Sequence, residues 1–329
     1  MRFVIVYVRS SITRRLVSAV WAKVVVTGAA GFIGGHLCTR LLDLGVEQVV
    51  GVDSLRSGDW TRTPVDVVRD ERDISDISVE EWSDILDGAD VLFHLAAEKY
   101  NSSKSSPDKL MRANVFATEH LFRAAALVGV RRAVFTSSLY AYGSMGRESM
   151  VESQLPSPTT LYGASKLMGE HILQSLDREI GLSWNAARLF FIYGPHQHAE
   201  GGYKSVILTN FERVLRGESP VIYGDGQQSL DYVYIDDCVD ALIELGKSGK
   251  DRAVVNVSTG SATTIKELTE MMMRITGAAL GPTYADADWT AGSRRCGDTQ
   301  KMAQVFGWAA RTPMSDGLQR VYDWLIQRG

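Results

Sequence analysis

Short apolar runs alternate with amphipathic stretches along the first half of this chain. The runs have the length of buried strands and lie at residues 24–26, 49–52, 89–95, 132–137 and 182–192. The stretches between them that are predicted as helices include residues 79–86, 107–128 and 158–180. In the stretch 107–128, Leu110, Val115 and Phe122 can share one helix face. Strands that alternate with helices predict a parallel, doubly wound α/β sheet with right-handed crossovers, and ligands then bind at the carboxyl ends of the strands.

A glycine-rich turn directly follows the first predicted strand. Gly28 permits a sharp turn, Gly31 has no Cβ to keep a pyrophosphate away from the backbone, and Gly34 lets the next helix lie close to the strand. The helix N-terminus then presents free N–H groups to the phosphates. Asp53 ends the second strand 19 residues after Gly34, the position of a carboxylate that holds ribose hydroxyls. Together they predict a dinucleotide site.

The sequence pattern changes at about residue 191. Glycines become frequent, the elements become shorter, and helices are predicted at residues 204–216, 264–276, 299–306 and 313–327. The expected organisation is a Rossmann-type domain at 23–190, joined by part of 231–258, with a smaller α/β substrate lobe formed by 191–230 and 259–329. Residues 1–22 carry four arginines and no acid; a targeting peptide is one interpretation, and an extension outside the fold is the preferred one.

Composition narrows the class of protein but does not identify it. The chain has 329 residues, 45% of them hydrophobic, and a net charge of −4, so nothing suggests affinity for nucleic acid or for an anionic membrane. No apolar run approaches the roughly 18 residues of a membrane span. The three cysteines form no paired motif, which fits a reducing cytoplasm, and no metal site is expected.

Tyr162 and Lys166 lie four residues apart in a predicted helix and therefore share a face. A free phenol has a pKa near 10, and lowering it by roughly three units takes about 4 kcal/mol. A lysine ammonium beside a positive nicotinamide ring could supply that energy. Ser138 ends the preceding strand 24 residues earlier and could donate a hydrogen bond to a substrate oxygen. Each of these residues alone is more often structural, but their order along the chain is that of a hydride-transfer site.

With these motifs, the chain resembles the extended short-chain dehydrogenase/reductase family, in particular its nucleotide-sugar epimerase and dehydratase group, which includes UDP-glucose 4-epimerase. The glycine spacing GxxGxxG is typical of that superfamily. The segments that carry the resemblance run from residue 27 almost to the C-terminus: TGAAGFIG (27–34), VDSLRSG (52–58), DISD (73–76), HLAAEK (94–99), Asn114, FTSSLYAYG (135–143), YGASK (162–166), RLFFIYGP (188–195), YGDGQQSLDYVYIDD (223–237) and FGW (306–308).

The resemblance implies roles for individual residues. The catalytic residues would be Ser138, Tyr162 and Lys166. The residues that would bind NAD are Gly28, Gly31, Phe32, Ile33, Gly34, Asp53, Asp73, Ile74, Leu95, Ala96, Ala97, Lys99, Asn114, Ser137, Tyr162, Lys166, Phe190 and Tyr193. The residues that would bind the substrate, expected to be a UDP-sugar, are Lys99, Ser138, Phe191, Lys204, Tyr223, Leu230 and Arg295. A homodimer through the helices near 107–128 and 158–180 is also implied.

The residues after Ser138 favour oxidation and reduction over elimination. Related dehydratases carry an Asp-Glu pair at this point, whereas this chain has Leu139 and Tyr140. The expected activity is therefore epimerisation of a nucleotide sugar at C4 through a transient 4-keto intermediate. An NAD(P)-dependent reductase or dehydrogenase of a sugar or another hydroxylated small molecule is the alternative, and a non-catalytic NAD-binding protein of the same fold is a third interpretation.

Two positions differ from the family pattern on the substrate side. Phe191 stands where an asparagine usually contacts the diphosphate, and Leu230 stands where an arginine usually pairs with phosphate. Losing a charged donor of that kind costs roughly 1.5–3 kcal/mol. Arg295 or its neighbour Arg294 still matches the late phosphate arginine, and Lys204, His196 and His198 could compensate. On the cofactor side, Asp53 favours NAD because it would repel a 2′-phosphate, although Arg56 leaves room for NADP.

Overall fold

A seven-stranded parallel sheet forms the centre of the molecule in the computed structural model, which describes residues 21–143, 148–197, 205–287 and 291–328. Its strands are β1 (Lys23–Thr27), β2 (Gln48–Val52), β3 (Val68–Asp70), β4 (Val91–His94), β5 (Arg132–Ser138), β6 (Trp184–Leu189) and, numbered in chain order, β10 (Ala253–Val257). They lie in the order β10-β6-β5-β4-β1-β2-β3. Every neighbouring pair is parallel, as the alternation of strands and helices predicts.

Helices cover both faces of this sheet. The helices of the chain are α1 (Phe32–Asp43), α2 (Val79–Leu86), α3 (Ser102–Ser105), α4 (Pro107–Met111), α5 (Ala117–Leu127), α6 (Leu161–Ile180), α7 (Val206–Leu215), α8 (Ile235–Lys247), α9 (Ile265–Thr276), α10 (Gln300–Phe306) and α11 (Met314–Arg328). Successive residues of β1 point to opposite faces: Val24 and Val26 join the core on the α1 and α8 side, and Val25 joins the core under α2, α5 and α6.

The strands of the smaller sheets follow β6 along the chain, starting directly after its carboxyl end. Their strands are β7 (Phe191–Tyr193), β8 (Val221–Tyr223), β9 (Ser229–Tyr234), β11 (Ala262–Thr264), β12 (Thr283–Ala285) and β13 (Arg294–Arg295). Strand β9 pairs with β7, β11 and β13, and β8 pairs with β12. The division of the chain into two lobes stays a prediction; strand β10 lies at the edge of the main sheet, next to β6.

The strand predicted at 182–192 is two strands. The backbone leaves the main sheet at Phe190, whose N–H donates to the carbonyl of Val257, and Phe191–Tyr193 pairs with β9 instead. Apolar residues predominate in both halves, so the hydrophobic pattern contains no sign of the switch. The break matters for the site because it places Phe190 and Phe191 at the end of a sheet strand.

The helix predicted at 107–128 contains a π-helical turn at Arg112–Phe116, between α4 and α5. Such single turns often occur at functional sites, and this one contains Asn114. At the other end of the chain, Trp21 is buried against Phe93 with ring centroids 6.0 Å apart, although the sequence placed it in the extension 1–22. Residues 1–20 lie outside the described part. Among the described residues, no helix has the length and apolar character to span a membrane.

Candidate active site

The glycine turn between β1 and α1 brings three pieces of backbone into close contact. Gly28 has a positive φ of 72°, and a Cβ there would lie 2.8 Å from the amide nitrogen of Ala96 at the end of β4. A Cβ on Gly34 would lie 2.0 Å from the carbonyl oxygen of Gly28. Helix α1 begins after Gly31, which has no side chain to cap it. The turn is therefore an open cradle at a helix N-terminus, the arrangement that binds pyrophosphate.

Asp53 lies beside this cradle at the end of β2. One of its oxygens accepts a hydrogen bond from the N–H of Ala30 (3.0 Å), and the other accepts one from Leu55 (2.9 Å), which has a left-handed φ of 56°. Burial raises the pKa of this carboxyl, and the N–H donors and the ammonium of Lys99 oppose that rise. The carboxylate therefore braces the loop and faces the cleft, where it could accept ribose hydroxyls.

Ser138, Tyr162 and Lys166 converge at the carboxyl end of β5. The first turn of α6 presents Tyr162 and Lys166 on one face, and Thr160 caps that turn by accepting from Gly163 (3.0 Å). The ammonium of Lys166 donates to the carbonyl of Thr136 (2.9 Å) and lies 4.9 Å from the ring centroid of Phe135. Burial lowers the pKa of Lys166 to about 7. The lysine is thus fixed under the strand end and titrates near neutrality.

The pKa of the Tyr162 phenol is raised in the chain alone, whereas the lowered pKa predicted from the sequence includes the charge of a bound nicotinamide ring. Burial raises its pKa to about 12, and its interaction with Ser138 opposes that rise only in part. The reason is that burial disfavours the phenolate while the chain alone places no full positive charge against the oxygen. The three side chains therefore lie close together, but ionisation of the Tyr162 phenol requires an additional positive charge.

Asn114 joins the cleft wall to helix α6, which carries Tyr162 and Lys166. Its side-chain oxygen accepts from the N–H of Glu98 (2.7 Å), and its amide group donates to the carbonyl of Glu98 (3.1 Å) and to the hydroxyl of Ser165 (3.1 Å). Ser165 in turn donates to the carbonyl of Tyr162 (2.8 Å). The π-turn aims Asn114 inward, so that this one side chain sets the position of α6 relative to the loop after β4.

A buried histidine supports the same loop from below. His94 is 1% exposed, and its two ring nitrogens lie 2.7 Å from the hydroxyl of Thr27 and 2.9 Å from that of Thr118. Thr27 also accepts hydrogen bonds from Leu95 and Ala96, so its own proton goes to the histidine. Burial lowers the pKa of His94 to about 3, which keeps the ring neutral next to Lys166. His94 belongs to the segment HLAAEK, but the sequence pattern predicts no role for it.

A buried ion pair holds α6 against the sheet behind the catalytic face. Arg188 donates to both oxygens of Glu170, at 2.9 and 2.7 Å, and the hydroxyl of Ser137 donates to the same carboxylate. Burial opposes the charge of Arg188, but its bonds to Glu170 raise the pKa of the guanidinium. Ser137, predicted to touch the cofactor, therefore also anchors the helix that carries Tyr162.

These elements enclose a cleft of about 670 Å³, a volume typical of small-molecule sites. The predicted cofactor residues that line it are Gly28, Gly31, Phe32, Ile33, Asp53, Asp73, Ile74, Leu95, Ala96, Ala97, Lys99, Ser137, Tyr162, Lys166 and Phe190. Gly34 and Asn114 stand behind the wall and shape it. Tyr193 does not line the cleft: its ring is 2% exposed and packs against Tyr232 and Tyr234, because β7 turns it into the core of the smaller sheet.

The predicted substrate residues are more scattered. Ser138, Phe191 and Lys99 line the cleft. Leu230 is buried and pairs across the strands with Arg295, so one guanidinium stands beside the position of the missing arginine.

Tyr223 lies on β8 with about half of its surface exposed. The ring of His196 packs 5.2 Å from that of Trp324 and does not line the cleft. Lys204 and His198 lie outside the described residues.

A family model of known proteins accounts for this arrangement. The model described as the NAD dependent epimerase/dehydratase family matches residues 24–258, most of the chain. The chain belongs to that family.

Individual members of the family match over nearly the whole chain. The UDP-glucose 4-epimerase of Mycolicibacterium smegmatis is 32% identical over 310 residues, which cover 92% of this chain and 98% of that protein. The structure of UDP-N-acetylglucosamine 4-epimerase from Methanobrevibacter ruminantium superposes with a TM-score of 0.88 at 29% identity, covering 94% and 99% of the two chains. That of UDP-glucose 4-epimerase from Thermotoga maritima gives 0.87 at 30% identity, covering 93% and 99%.

The cofactor of this family fits the cleft of this chain. The glycine cradle would be filled by a Cβ at Gly28 or Gly34, and a carboxylate at Asp53 faces the position of a ribose. A 2′-phosphate would be repelled by that carboxylate, so the cofactor is NAD. No group of three potential metal-ligating acids, histidines or cysteines converges in residues 21–143, 148–197, 205–287 and 291–328.

Some residues of the cleft were not among the predicted site residues. Arg56, which the sequence linked only to possible use of NADP, bridges Asp73 (2.8 Å) and Glu98 (3.4 Å) across the edge of the cleft. Tyr100 and Tyr140 form its wall beyond Tyr162. The sequence contained a signal for Tyr140 in its position two residues after Ser138, but none for Tyr100, whose position depends on contacts between distant loops.

Proposed function

We propose that this chain is an NAD-dependent 4-epimerase of a UDP-sugar that acts through a transient 4-keto sugar. The observation that carries this proposal is the convergence of Ser138, Tyr162 and Lys166 at the end of the cleft that begins at the glycine cradle. The family membership and the UDP-sugar 4-epimerases among the similar proteins support it.

Tyr162 acts as the base and later as the acid. Its phenolate takes the proton of the C4 hydroxyl while the C4–H bond breaks and the C4–O bond becomes a carbonyl. When bound, NAD supplies the chemistry of accepting a hydride and giving it back. Tyr162 returns its proton to the oxygen after the keto sugar has rotated in the cleft and accepted the hydride on its other face, so no net oxidation occurs. Ser138 donates a hydrogen bond to that oxygen in both steps.

Lys166 stabilises the phenolate from below. Its ammonium donates to the carbonyl of Thr136 (2.9 Å), which holds it on the same face of α6 as Tyr162. Because burial lowers its pKa to about 7, only about half of the lysine side chains are charged at neutral pH. Full stabilisation of the phenolate therefore also requires the positive charge of the oxidised dinucleotide.

The residues next to Ser138 support redox chemistry without elimination. Leu139 is buried and apolar, and Tyr140 lines the cleft with a neutral phenol whose pKa is raised by burial. Loss of water from C5 and C6 needs a carboxylate near those carbons. The turn after β5 supplies none, so the 4-keto sugar is expected to be reduced again.

We also infer a homodimer through α5, α6 and the π-turn. The large apolar side chains exposed there are Phe116, Leu127, Met168 and Ile180. Such exposure on neighbouring helices is typical of an interface between subunits. Light scattering on the purified protein is expected to give twice the mass of one chain, 36.2 kDa.

The activity is tested by incubating the purified protein with UDP-glucose, UDP-N-acetylglucosamine and UDP-glucuronate and separating the 4-epimers. We expect at least one sugar to be epimerised with no stoichiometric release of NADH. Tyr162→Phe should lower kcat about a thousandfold, whereas Tyr322→Phe, the same change on α11, should not alter it. Net formation of NADH in proportion to product would support a dehydrogenase, net consumption of NADH would support a reductase, and either would contradict the epimerase.

A further inference from the structure

Tyr140 is the residue of the cleft that the proposed chemistry leaves without a task. It lies in the 3₁₀ turn Leu139–Ala141 directly after β5. Its N–H donates to the hydroxyl of Ser138 (3.3 Å), and a Cβ on Gly163 would lie 2.3 Å from its carbonyl oxygen. The backbone of Tyr140 is thus fixed by a catalytic residue on one side and by the first turn of α6 on the other.

The ring of Tyr140 lies between three other functional side chains. Its centroid is 5.3 Å from that of Tyr100, with the ring planes inclined by 33°, and 5.8 Å from that of Tyr162, which meets it edge-on at 79°. The guanidinium of Arg295 lies 5.3 Å from the same centroid. We call the wall formed by Tyr100 and Tyr140 the aromatic shelf.

Under the proposed function, a bound nucleotide sugar would lie along this shelf. Arg295, which is in register with Leu230, would bind the diphosphate, and Tyr162 in the cleft would meet the reacting carbinol. Tyr140 contacts both residues and would therefore lie between the phosphate and C4 of the sugar. A pyranose has an apolar face of C–H groups that can pack on an aromatic ring.

We propose that Tyr140 contacts the sugar ring of the substrate and positions its C4 against Tyr162. This role rests on the proposed function, because it assumes a sugar attached to a diphosphate. Packing on a flat ring is weakly directional, so it can hold the sugar near Tyr162 in either of the two orientations that epimerisation requires. This packing also replaces part of the affinity that is lost because Phe191 and Leu230 stand in place of polar donors. An apolar contact contributes to affinity without such donors.

Two substitutions separate packing from hydrogen bonding. Tyr140→Phe keeps the ring and removes the hydroxyl, and Tyr140→Leu removes the ring and keeps an apolar side chain. Affinity is measured by calorimetry for UDP, which lacks the sugar, and for the UDP-sugar that the wild type accepts. If no sugar is turned over, UDP-glucose serves as the probe.

For Tyr140→Leu we expect the Kd for the UDP-sugar to rise about tenfold or more and the Kd for UDP to stay within about threefold. For Tyr140→Phe we expect both constants to stay within about threefold. The KM should follow the Kd, while kcat falls less, because the ring binds the sugar in the ground state as well as in the transition state.

Other results would overturn this role. An equal loss of UDP affinity in Tyr140→Leu would show that the ring acts on Arg295 and not on the sugar. Unchanged affinity for the UDP-sugar would show that the shelf does not touch it, and an equal loss in Tyr140→Phe would assign the contact to the hydroxyl. A wild type that epimerises nothing would refute the proposed function, whereas the two binding constants would still decide the role of Tyr140.

Discussion

Tyr162 is expected to ionise only when the oxidised dinucleotide is bound. In the chain alone, burial raises the pKa of the phenol to about 12. At about pH 9, only about one phenol in a thousand is then ionised. Lys166 contributes little at that pH, because its own pKa is about 7 and its side chain is mostly neutral. A catalytic base therefore requires a second source of positive charge.

The size of the required change can be worked out from these values. A unit positive charge at about 4 Å contributes about 4 kcal/mol at an effective dielectric constant of 20. One pKa unit corresponds to about 1.4 kcal/mol, so one such charge lowers the pKa by about three units. The phenol of Tyr162 should then titrate at about pH 9 with NAD bound and should stay at about 12 without it.

The measurement is a difference spectrum in the absorption band of tyrosinate. Wild type minus Tyr162→Phe is recorded at about pH 9 without dinucleotide, with saturating NAD and with saturating NADH. We expect about half a tyrosinate per chain with NAD and no signal in the other two samples. NADH is the matched control, because it fills the same cradle with an uncharged ring.

Two outcomes would refute this reasoning. An equal tyrosinate signal without dinucleotide or with NADH would show that the chain alone already lowers the pKa of the phenol. No signal with NAD, although NAD is bound, would show that ring charge does not reach Tyr162. In either case Lys166 or a conformational change, and not the charge of the nicotinamide ring, would determine the pKa of Tyr162.

Three further changes test the parts that surround the base. Gly34→Ala should weaken NAD binding about tenfold or more in a titration, because the added Cβ would lie 2.0 Å from a carbonyl oxygen of the glycine turn; wild-type affinity would contradict the cradle. Asp53→Asn should raise the affinity for NADP relative to NAD by about tenfold, since it removes the charge that repels a 2′-phosphate; an unchanged ratio would contradict that role. Arg188→Met should lower the free energy of unfolding by about 3–5 kcal/mol, because it leaves Glu170 buried without its partner. The exposed pair of Arg252 is the control, and Arg252→Ala should change stability little.

The hydrophobic pattern predicted the parallel sheet and its helices because burial of alternating apolar runs determines them locally. It did not predict the switch of strands at Phe190. The choice between the main sheet and β9 depends on a partner about forty residues later, and apolar residues suit both sheets. The fold was thus predictable in class and order but not in where one strand ends.

The site was predictable where a residue acts through its own chemistry. The glycine turn, Asp53, Ser138, Tyr162 and Lys166 could be proposed because turn geometry and spacing along one helix face follow from sequence. The π-turn that aims Asn114, and the stacking of Tyr100 on Tyr140, arise from contacts between elements and leave no periodic signal.

The lowered pKa predicted for Tyr162 combines two charges, a lysine ammonium and a bound nicotinamide ring. In the chain alone that ammonium lies on the carbonyl of Thr136 in a buried pocket, and burial raises the pKa of the phenol. The effect of burial on the pKa of Tyr162 depends on the packing of β5 and α6, which no sequence motif indicates. The expectation therefore applies only to the state with bound cofactor.

If the proposed epimerase mechanism holds, C4 of the sugar loses and regains the same hydrogen without exchange with water. A UDP-sugar carrying deuterium at C4 is converted by the purified protein, and the product 4-epimer is analysed by mass spectrometry and NMR. We expect the deuterium to remain at C4 of the epimer and no deuterium to enter at C4 from solvent when unlabelled substrate reacts in D₂O. Loss of the label to water, or its appearance in free NADH, would contradict the proposed epimerase.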